Sequence, residues 1–245
     1  MPSRRLEWPD CQNTRDLGGL PHGAGLTRSG VLVRSDNLHS LNLAGLEAMV
    51  AYGVTTVIDL RSESEVATSP SPFAIPDPFN FPPPPAYTHL PLVDDATMLK
   101  LAEAPDMFER YLMMLEDRPA AFSAIFTALA RTEGTAVFHC FAGKDRTGMV
   151  AAMSLALAGV GVEAIAADYA ETDSQMATRY RDWLAAAPPE KLEWMRDDLR
   201  CPPERIVGVL EHIDKRWGGV EGYLEAAGTS RADISQLQAK LISSR

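Results

Sequence analysis

Apolar positions along this chain follow two rhythms. Short, nearly continuous β-like runs occupy residues 30–34, 54–60, 87–92 and 135–139, whereas spacing of three to four residues marks 43–52, 107–115, 120–131 and 147–158. From Glu163 to about Leu241 the pattern is almost wholly helical, broken at Pro188-Pro189, Pro202-Pro203 and several glycines. Strands alternating with helices predict an α/β fold: a central four- to five-stranded sheet flanked by helices, with a helical C-terminal third. Ligands of such a sheet lie beyond the C-terminal ends of its strands. Two runs in the last third, Met176, Tyr180 and Trp183-Leu184, then Leu192, Met195 and Leu199, have helical spacing on either side of Pro188-Pro189, predicting two short amphipathic helices.

Residues 69–85 hold eight prolines and cannot continue a central strand or a helix. They predict an extended surface connection, acting as a stiff spacer or as a polyproline docking segment. No polar linker divides the chain and no internal repeat is found, so residues 1–245 are read as one domain.

The chemistry concentrates in His139-Cys140-Phe141-Ala142-Gly143-Lys144-Asp145-Arg146-Thr147-Gly148. An apolar run precedes this segment and a helical pattern follows it, which reads as strand, tight loop and helix N-terminus. Successive N–H groups of such a loop turn inward and the helix aims its positive end at the same point, so the backbone of Phe141, Ala142, Gly143 and Lys144 forms an oxyanion cradle. Arg146 adds a planar fork for two phosphate oxygens. Cys140 lies under the phosphorus as the nucleophile, since helix N-termini and nearby cations favour the thiolate. Thr147 is positioned either to donate to that thiolate or simply to start the helix. A bare C-x5-R pairing is expected about 0.2 times by chance in a chain of this composition. With the flanking His, Gly and Thr that falls to the order of 10⁻⁵. A nucleotide-binding P-loop is excluded, because Phe138 and Asp145 stand where that motif needs Gly and Ser or Thr.

HCFAGKDRTG resembles the signature loop of the cysteine-dependent protein tyrosine and dual-specificity phosphatases, and within them the bacterial group typified by mycobacterial protein tyrosine phosphatase B. Asn13-Thr14-Arg15-Asp16-Leu17-Gly18-Gly19, Val33-Arg34-Ser35-Asp36, Val57-Ile58-Asp59-Leu60-Arg61-Ser62 and, more weakly, Gly218-Gly219-Val220-Glu221-Gly222-Tyr223-Leu224 match the same group. Thr14 departs from it, standing where the family often has Phe. The resemblance implies a tyrosine-phosphatase-like fold and hydrolysis of phosphomonoesters through a cysteinyl-phosphate, with inorganic phosphate as product. Phosphotyrosine peptides are the implied substrates, with phosphoserine, phosphothreonine or phosphoinositides beside them. It also implies a general acid: Asp145 in the loop, or Asp94 or Asp95 after the third β-like run. Lys144, at the rim of the cradle, is either a specificity cation for phosphoinositides or a solvated loop lysine. The two amphipathic helices, within residues 174–200, are a mobile lid or a fixed hairpin. Their polar faces, Arg179, Arg181, Asp182, Arg196, Asp197 and Asp198, are expected to meet water or incoming phosphate. Two rivals use similar loops: a rhodanese-type sulfurtransferase and a non-catalytic phosphate-binding module.

Charge and composition narrow the setting. A net charge of −10 without a basic patch argues against nucleic-acid partners. No apolar run reaches ~18 residues and no basic-then-apolar leader opens the chain, so neither a transmembrane segment nor a signal peptide is expected. Cys11, Cys140 and Cys201 are an odd, widely spaced set, and a reducing cytoplasm suits a catalytic thiolate. The five His are isolated and no ligand spacing occurs, so neither metal nor cofactor is expected. His139 reads as a buried histidine shaping the loop. Arg15, Asp16, Arg34, Asp36, Asp59 and Arg61 are read as one connected network beneath it, against the alternative of scattered surface pairs.

Overall fold

Six short segments pair into the central sheet and a small ribbon in the computed structural model, which describes residues 4–23, 25–74 and 85–242; a seventh lies at the sheet's centre. In chain order they are β1 (Arg15–Asp16), the ribbon β2 (Pro21–His22) and β3 (Gly25–Leu26), β4 (Leu32–Ser35), β5 (Val54–Asp59), β6 (Ala86–His89) and the central β7 (Thr135–His139). The sheet order is β1-β4-β7-β5-β6, antiparallel at β1–β4 and parallel elsewhere. Every residue of β7 is buried, as expected of a central parallel strand covered on both faces.

Register brings the motifs together. Ser35 on β4 and Asp59 on β5 both pair with His139 on β7, so three strands end level. Asp36, the Leu60-Arg61 pair and Cys140 therefore emerge side by side at one end of the sheet.

Side chains then sort by strand alternation. Val33, Val57 and Val137 pack against α1 (Leu43–Ala51). Leu32, Ile58, Ala136 and Phe138 face the larger core, built by most of the remaining helices. These are α2 (Glu63–Thr68), α3 (Asp95–Leu101), α4 (Met107–Asp117), α5 (Pro119–Arg131), α6 (Arg146–Leu157), α7 (Val162–Gln175), α8 (Ala177–Ala186), α9 (Leu192–Leu199), α10 (Pro203–Trp217), α11 (Val220–Ala226) and α12 (Arg231–Leu241).

The α/β architecture with a helical last third is as the periodicity predicts, and differences lie at boundaries. The first run starts at Leu32, because Gly30 turns the chain at φ +74°. The third ends at His89, before Pro91, which has no N–H to continue a ladder. α2 and α3 escape the apolar pattern; each is short and begins with a side-chain cap, Ser62 and Asp94. Of the proline-rich stretch, Pro72–Ala74 forms a 3₁₀ turn and residues 75–84 lie outside the described residues.

Candidate active site

The loop after β7 is held from outside by its carbonyls. The Asn37 N–H donates to Phe141 O at 3.0 Å, Asn13 Nδ2 to Ala142 O at 2.9 Å and Arg34 Nη2 to Gly143 O at 2.7 Å. In a planar trans peptide the N–H points opposite the C=O. Three outward carbonyls therefore turn the N–H groups of Ala142, Gly143 and Lys144 to the inner side. Gly143 sits at φ +66°, and a Cβ there would lie 2.6 Å from Ser35 O and 2.9 Å from Asp36 N. Only glycine fits a left-handed conformation pressed so closely against β4. Cys140 opens the loop, buried at 2 % exposure, and Arg146 begins α6.

Arg146 meets Glu65 through both terminal nitrogens, Nη1 to Oε2 and Nη2 to Oε1, the second at 2.8 Å. Burial opposes the guanidinium charge, but the hydrogen bond to Glu65 and the charges of Cys140, Glu65 and Asp145 outweigh it and raise its pKa. On Glu65, burial likewise opposes ionisation and the Arg146 contact overcomes it, lowering its pKa. Glu65 also closes the capping box of α2, its Oε2 accepting the Ser62 N–H at 2.8 Å. The sequence reading missed Glu65. Its one signal was Ser62-x-x-Glu65, a capping box directly after Asp59-Leu60-Arg61.

The Arg/Asp residues form three carboxylate-centred clusters, the first two joined through Asn13, whose Oδ1 accepts from Arg15 Nη1 at 2.5 Å and whose N–H donates to Asp36. In the first, Asp168 of α7 receives Arg34 Nη1 at 2.7 Å, Arg15 Nε at 3.0 Å and Arg4 Nη1 at 2.8 Å. Burial disfavours the Asp168 charge, but Arg15, Arg34 and Arg4 more than compensate, so its pKa lies far below the carboxylate range. For Arg15, burial and the nearby Arg34 lower the pKa to about 10 despite Asp168. In the second, Asp36 accepts the N–H groups of Gln12 and Asn13 at 3.0–3.1 Å and pairs with Arg179 at 2.6 Å. The third joins Asp59, Arg61 and Tyr87, with Arg61 Nη2 2.6 Å from Asp59 Oδ2. There burial opposes the Asp59 charge, while His139 and Arg61 pull its pKa down to about 2. Burial lowers the pKa of His139, partly offset by Asp59, and its Nδ1 lies 3.2 Å from Cys140 O. Asp16 stands apart, accepting the N–H groups of Gly18 and Gly30 and the hydroxyl of Tyr52. Arg34 and Asp36, at the end of β4, serve the first two clusters, while His139 of β7 lies 3.7 Å from Asp59 of β5 in the third.

Of the three candidate acids, Asp145 is in the loop and 28 % exposed, with Oδ1 accepting from the Tyr111 hydroxyl. Asp94 instead caps α3 and pairs with Arg118, and Asp95 accepts from Ser64 at 2.7 Å. Lys144 is not at a solvated rim. It is 2 % exposed and turned to α9, with its ammonium on the Asp198 carbonyl and 3.4 Å from Asp145 Oδ1. The polar faces of α8 and α9 also turn partly inward: Arg179 reaches Asp36, while Asp198 takes Arg110 at 2.9 Å. Trp183 of α8 stacks on Phe141 of the loop with centroids 5.7 Å apart. Thr147 Oγ1 is buried and makes no hydrogen bond to any described residue, Cys140 included. Beside Asp145 and Arg146 opens a groove of about 300 Å³ lined by Val93, Met98, Leu101, Met107, Met114 and Trp194. Among the described residues no helix is long and apolar enough to cross a membrane.

Comparison with known proteins agrees with this geometry. Residues 6–243 match the model of the tyrosine phosphatase family. A protein of Cupriavidus necator assigned as a tyrosine-protein phosphatase is 31 % identical, over 95 % of this chain and 86 % of its own length. The tyrosine-protein phosphatase of Nostoc commune is 33 % identical over 85 % of this chain and 73 % of its own. The triple specificity protein phosphatase PtpB of Mycobacterium tuberculosis is 28 % identical over 96 % and 98 %.

Proposed function

This chain belongs to the tyrosine phosphatase family and is a phosphoric monoester hydrolase, and we propose that it acts on phosphotyrosine through a phosphocysteine at Cys140. The observation that carries the reading is the set of outward carbonyls at Phe141, Ala142 and Gly143, which turns backbone N–H groups inward beside Cys140 and Arg146. Those N–H groups, the α6 N-terminus and Arg146 bind the three non-bridging phosphoryl oxygens and stabilise the charge that builds on them. The Cys140 sulfur attacks phosphorus in line, so that an S–P bond forms as the P–O ester bond breaks. Asp145 gives its proton to the leaving oxygen. A water then attacks phosphorus and returns a proton to Asp145, and the S–P bond breaks to release inorganic phosphate.

The apolar groove next to Asp145 lies on the side of the proton donor, where a leaving group sits, and its Met and Trp lining favours an aryl ring over a polyol. Lys144, spent on Asp145 and Asp198, supplies little to a second phosphate, so phosphoinositides rank below phosphotyrosine. The name of the mycobacterial relative supports testing phosphoserine and phosphothreonine alongside. We read residues 1–245 as one phosphatase domain with α8–α9, within 174–200, as a helical lid; α9 has no buried residue. Three free cysteines suit a reducing, cytoplasmic setting.

The test is turnover of phosphotyrosine peptide, phosphoserine peptide and soluble phosphoinositide by wild type and Cys140→Ser, with thiosulfate as the sulfurtransferase control. Loss of at least about a thousandfold in the variant, with vanadate still bound, is expected. Turnover near wild type in Cys140→Ser would end the covalent mechanism.

A further inference from the structure

Asp145 occupies the N-cap position of α6 yet makes no side-chain bond to the helix amides, although Asp is among the best N-cap residues. Its carboxylate is claimed elsewhere. Tyr111 of α4, completely buried, gives its hydroxyl hydrogen to Asp145 Oδ1. The same hydroxyl lies 2.8 Å from that of Tyr169 on α7, and Arg205 Nη1 on α10 reaches the Tyr169 oxygen at 3.5 Å. The rings meet edge to face, 6.5 Å apart at 89°.

The two ends of this chain fix its direction. A guanidinium can only donate, and an ionised carboxylate can only accept. Each hydroxyl has one hydrogen, so the donors run Arg205 to Tyr169 to Tyr111 to Asp145. Oδ1 is thereby occupied, with Lys144 Nζ also 3.4 Å away, and Oδ2 is left as the oxygen that carries a transferable proton.

We propose that Tyr111 is a positioning residue for proton transfer by Asp145, supported by Tyr169 and Arg205. This rests on the assignment of Asp145 as the general acid. As Oδ2 gives its proton to the leaving oxygen, negative charge appears on the carboxylate. The Tyr111 hydrogen bond, already aimed at Oδ1, stabilises that charge without rearrangement. Both tyrosine hydroxyls stay protonated, because burial raises their pKa, reinforced for Tyr111 by Asp145 and for Tyr169 by Cys201 and Asp145. Other groups facing Asp145 are Lys144 in the loop, Arg146 on α6, Arg110 on α4 and Asp198 on α9. Tyr180 on α8 and Cys201 after α9 also lie within its electrostatic reach, with Asp173 of α7 behind Cys201. None of these places a hydroxyl on Oδ1, so loss of the Tyr111 hydroxyl has no substitute among them.

The experiment compares Tyr111→Phe, Tyr169→Phe and Tyr223→Phe. Tyr223 is an equally buried tyrosine whose hydroxyl donates to Leu115 O at 2.9 Å, remote from the loop, so it reports the cost of deleting a buried hydroxyl. Tyr111→Phe is expected to lower kcat about tenfold on substrates with poor leaving groups, with KM and activated aryl phosphates little affected. The basic limb of its pH–rate profile moves to higher pH, because a bond favouring the carboxylate form is gone. Tyr169→Phe shifts the limb the same way by less, and Tyr223→Phe not at all. Asp145→Asn separates the two levels of the argument. If it keeps the wild-type basic limb, the acid assignment falls and Tyr111 with it. If it flattens the limb while Tyr111→Phe behaves like Tyr223→Phe, the acid assignment stands and the positioning role alone is overturned.

Discussion

Helix α6 and the α8–α9 pair both touch the loop around Cys140, and they are built in opposite ways. Eleven of the twelve residues of α6 are buried, on every side of the helix. In α8 only Tyr180 is buried, and in α9 nothing is. The first is a core element whose orientation is fixed by close packing all round. The second is attached mainly through its edges: Trp183 on Phe141, Arg179 on Asp36 and the Asp10 carbonyl, Asp198 between Lys144 and Arg110, and Trp194 under the Arg110 guanidinium. The side of the loop that leads into α6 is thus part of the hydrophobic core, whereas the α8–α9 side is held by polar pairs, one ring stack and one cation–π contact. Local opening free energies are expected to follow that division, since segments with little buried apolar area open first.

The largest effect should come from breaking the rigid side. Asp168→Asn leaves Arg15 and Arg34 buried without their countercharge. We expect a loss of about 3–5 kcal/mol in denaturant unfolding, with phosphate affinity falling as Arg34 loosens from Gly143 O. A variant as stable as wild type would show that the arginines hold the loop unaided. Next, Gly143→Ala forces a side chain against Ser35 O in a left-handed conformation, and kcat/KM should drop about a hundredfold with the fold retained. Normal vanadate affinity in that variant would count against the backbone cradle.

Acid should also act first on the rigid side, where the depressed carboxylates lie. Asp59 has a folded pKa of about 2 against an ordinary 3.8, so its stabilising charge is fully present above 3.8 and is lost as pH falls toward 2. That window is worth on the order of 2 kcal/mol, and Asp168 adds in the same direction. His139, lowered from 6.5, begins the decline earlier, because below 6.5 the unfolded chain takes up a proton that the buried ring resists. Denaturation midpoints measured from pH 8 to pH 2 should fall in two stages, and His139→Asn should shrink the upper one, to which His39, also lowered by burial, contributes.

The smallest global effect is expected on the covering side. Trp183→Ala removes the stack on Phe141 at a cost of about 1 kcal/mol or less. Hydrogen exchange in residues 176–199 should nonetheless quicken, while the amides of α6 stay as slow as before. Protection of 176–199 by vanadate would mark a lid. Exchange of that segment only with global unfolding, with or without vanadate, would make α8–α9 a fixed hairpin.

What the sequence disclosed follows the same division of near and far. Cys140, Gly143, Asp145 and Arg146 were legible because they lie in one ten-residue segment whose strand and helix flanks announce themselves. β7 was placed to the residue, and the α8–α9 pair was foreseen from its apolar spacing around two prolines. Glu65, Asp168, Tyr111 and Tyr169 were not foreseen. Glu65 meets Arg146 across 81 residues, Asp168 meets Arg34 across 134, and Tyr111 meets Asp145 across 34, and no local period encodes such pairs. Lys144 was misplaced for a related reason: its burial depends on α9, which reaches the loop only in three dimensions.

Glu65 carries two bonds on one oxygen, and this gives the protein a built-in reporter. Its Oε2 accepts both the Ser62 backbone N–H and Arg146 Nη1. An oxyanion that draws Arg146 inward relieves Glu65 of part of its load and lets that oxygen bind the Ser62 amide more closely. The nitrogen-15 resonance of Ser62, at the start of a surface helix far along the chain from Cys140, should then follow occupancy of the phosphate site, giving titrations a signal independent of turnover.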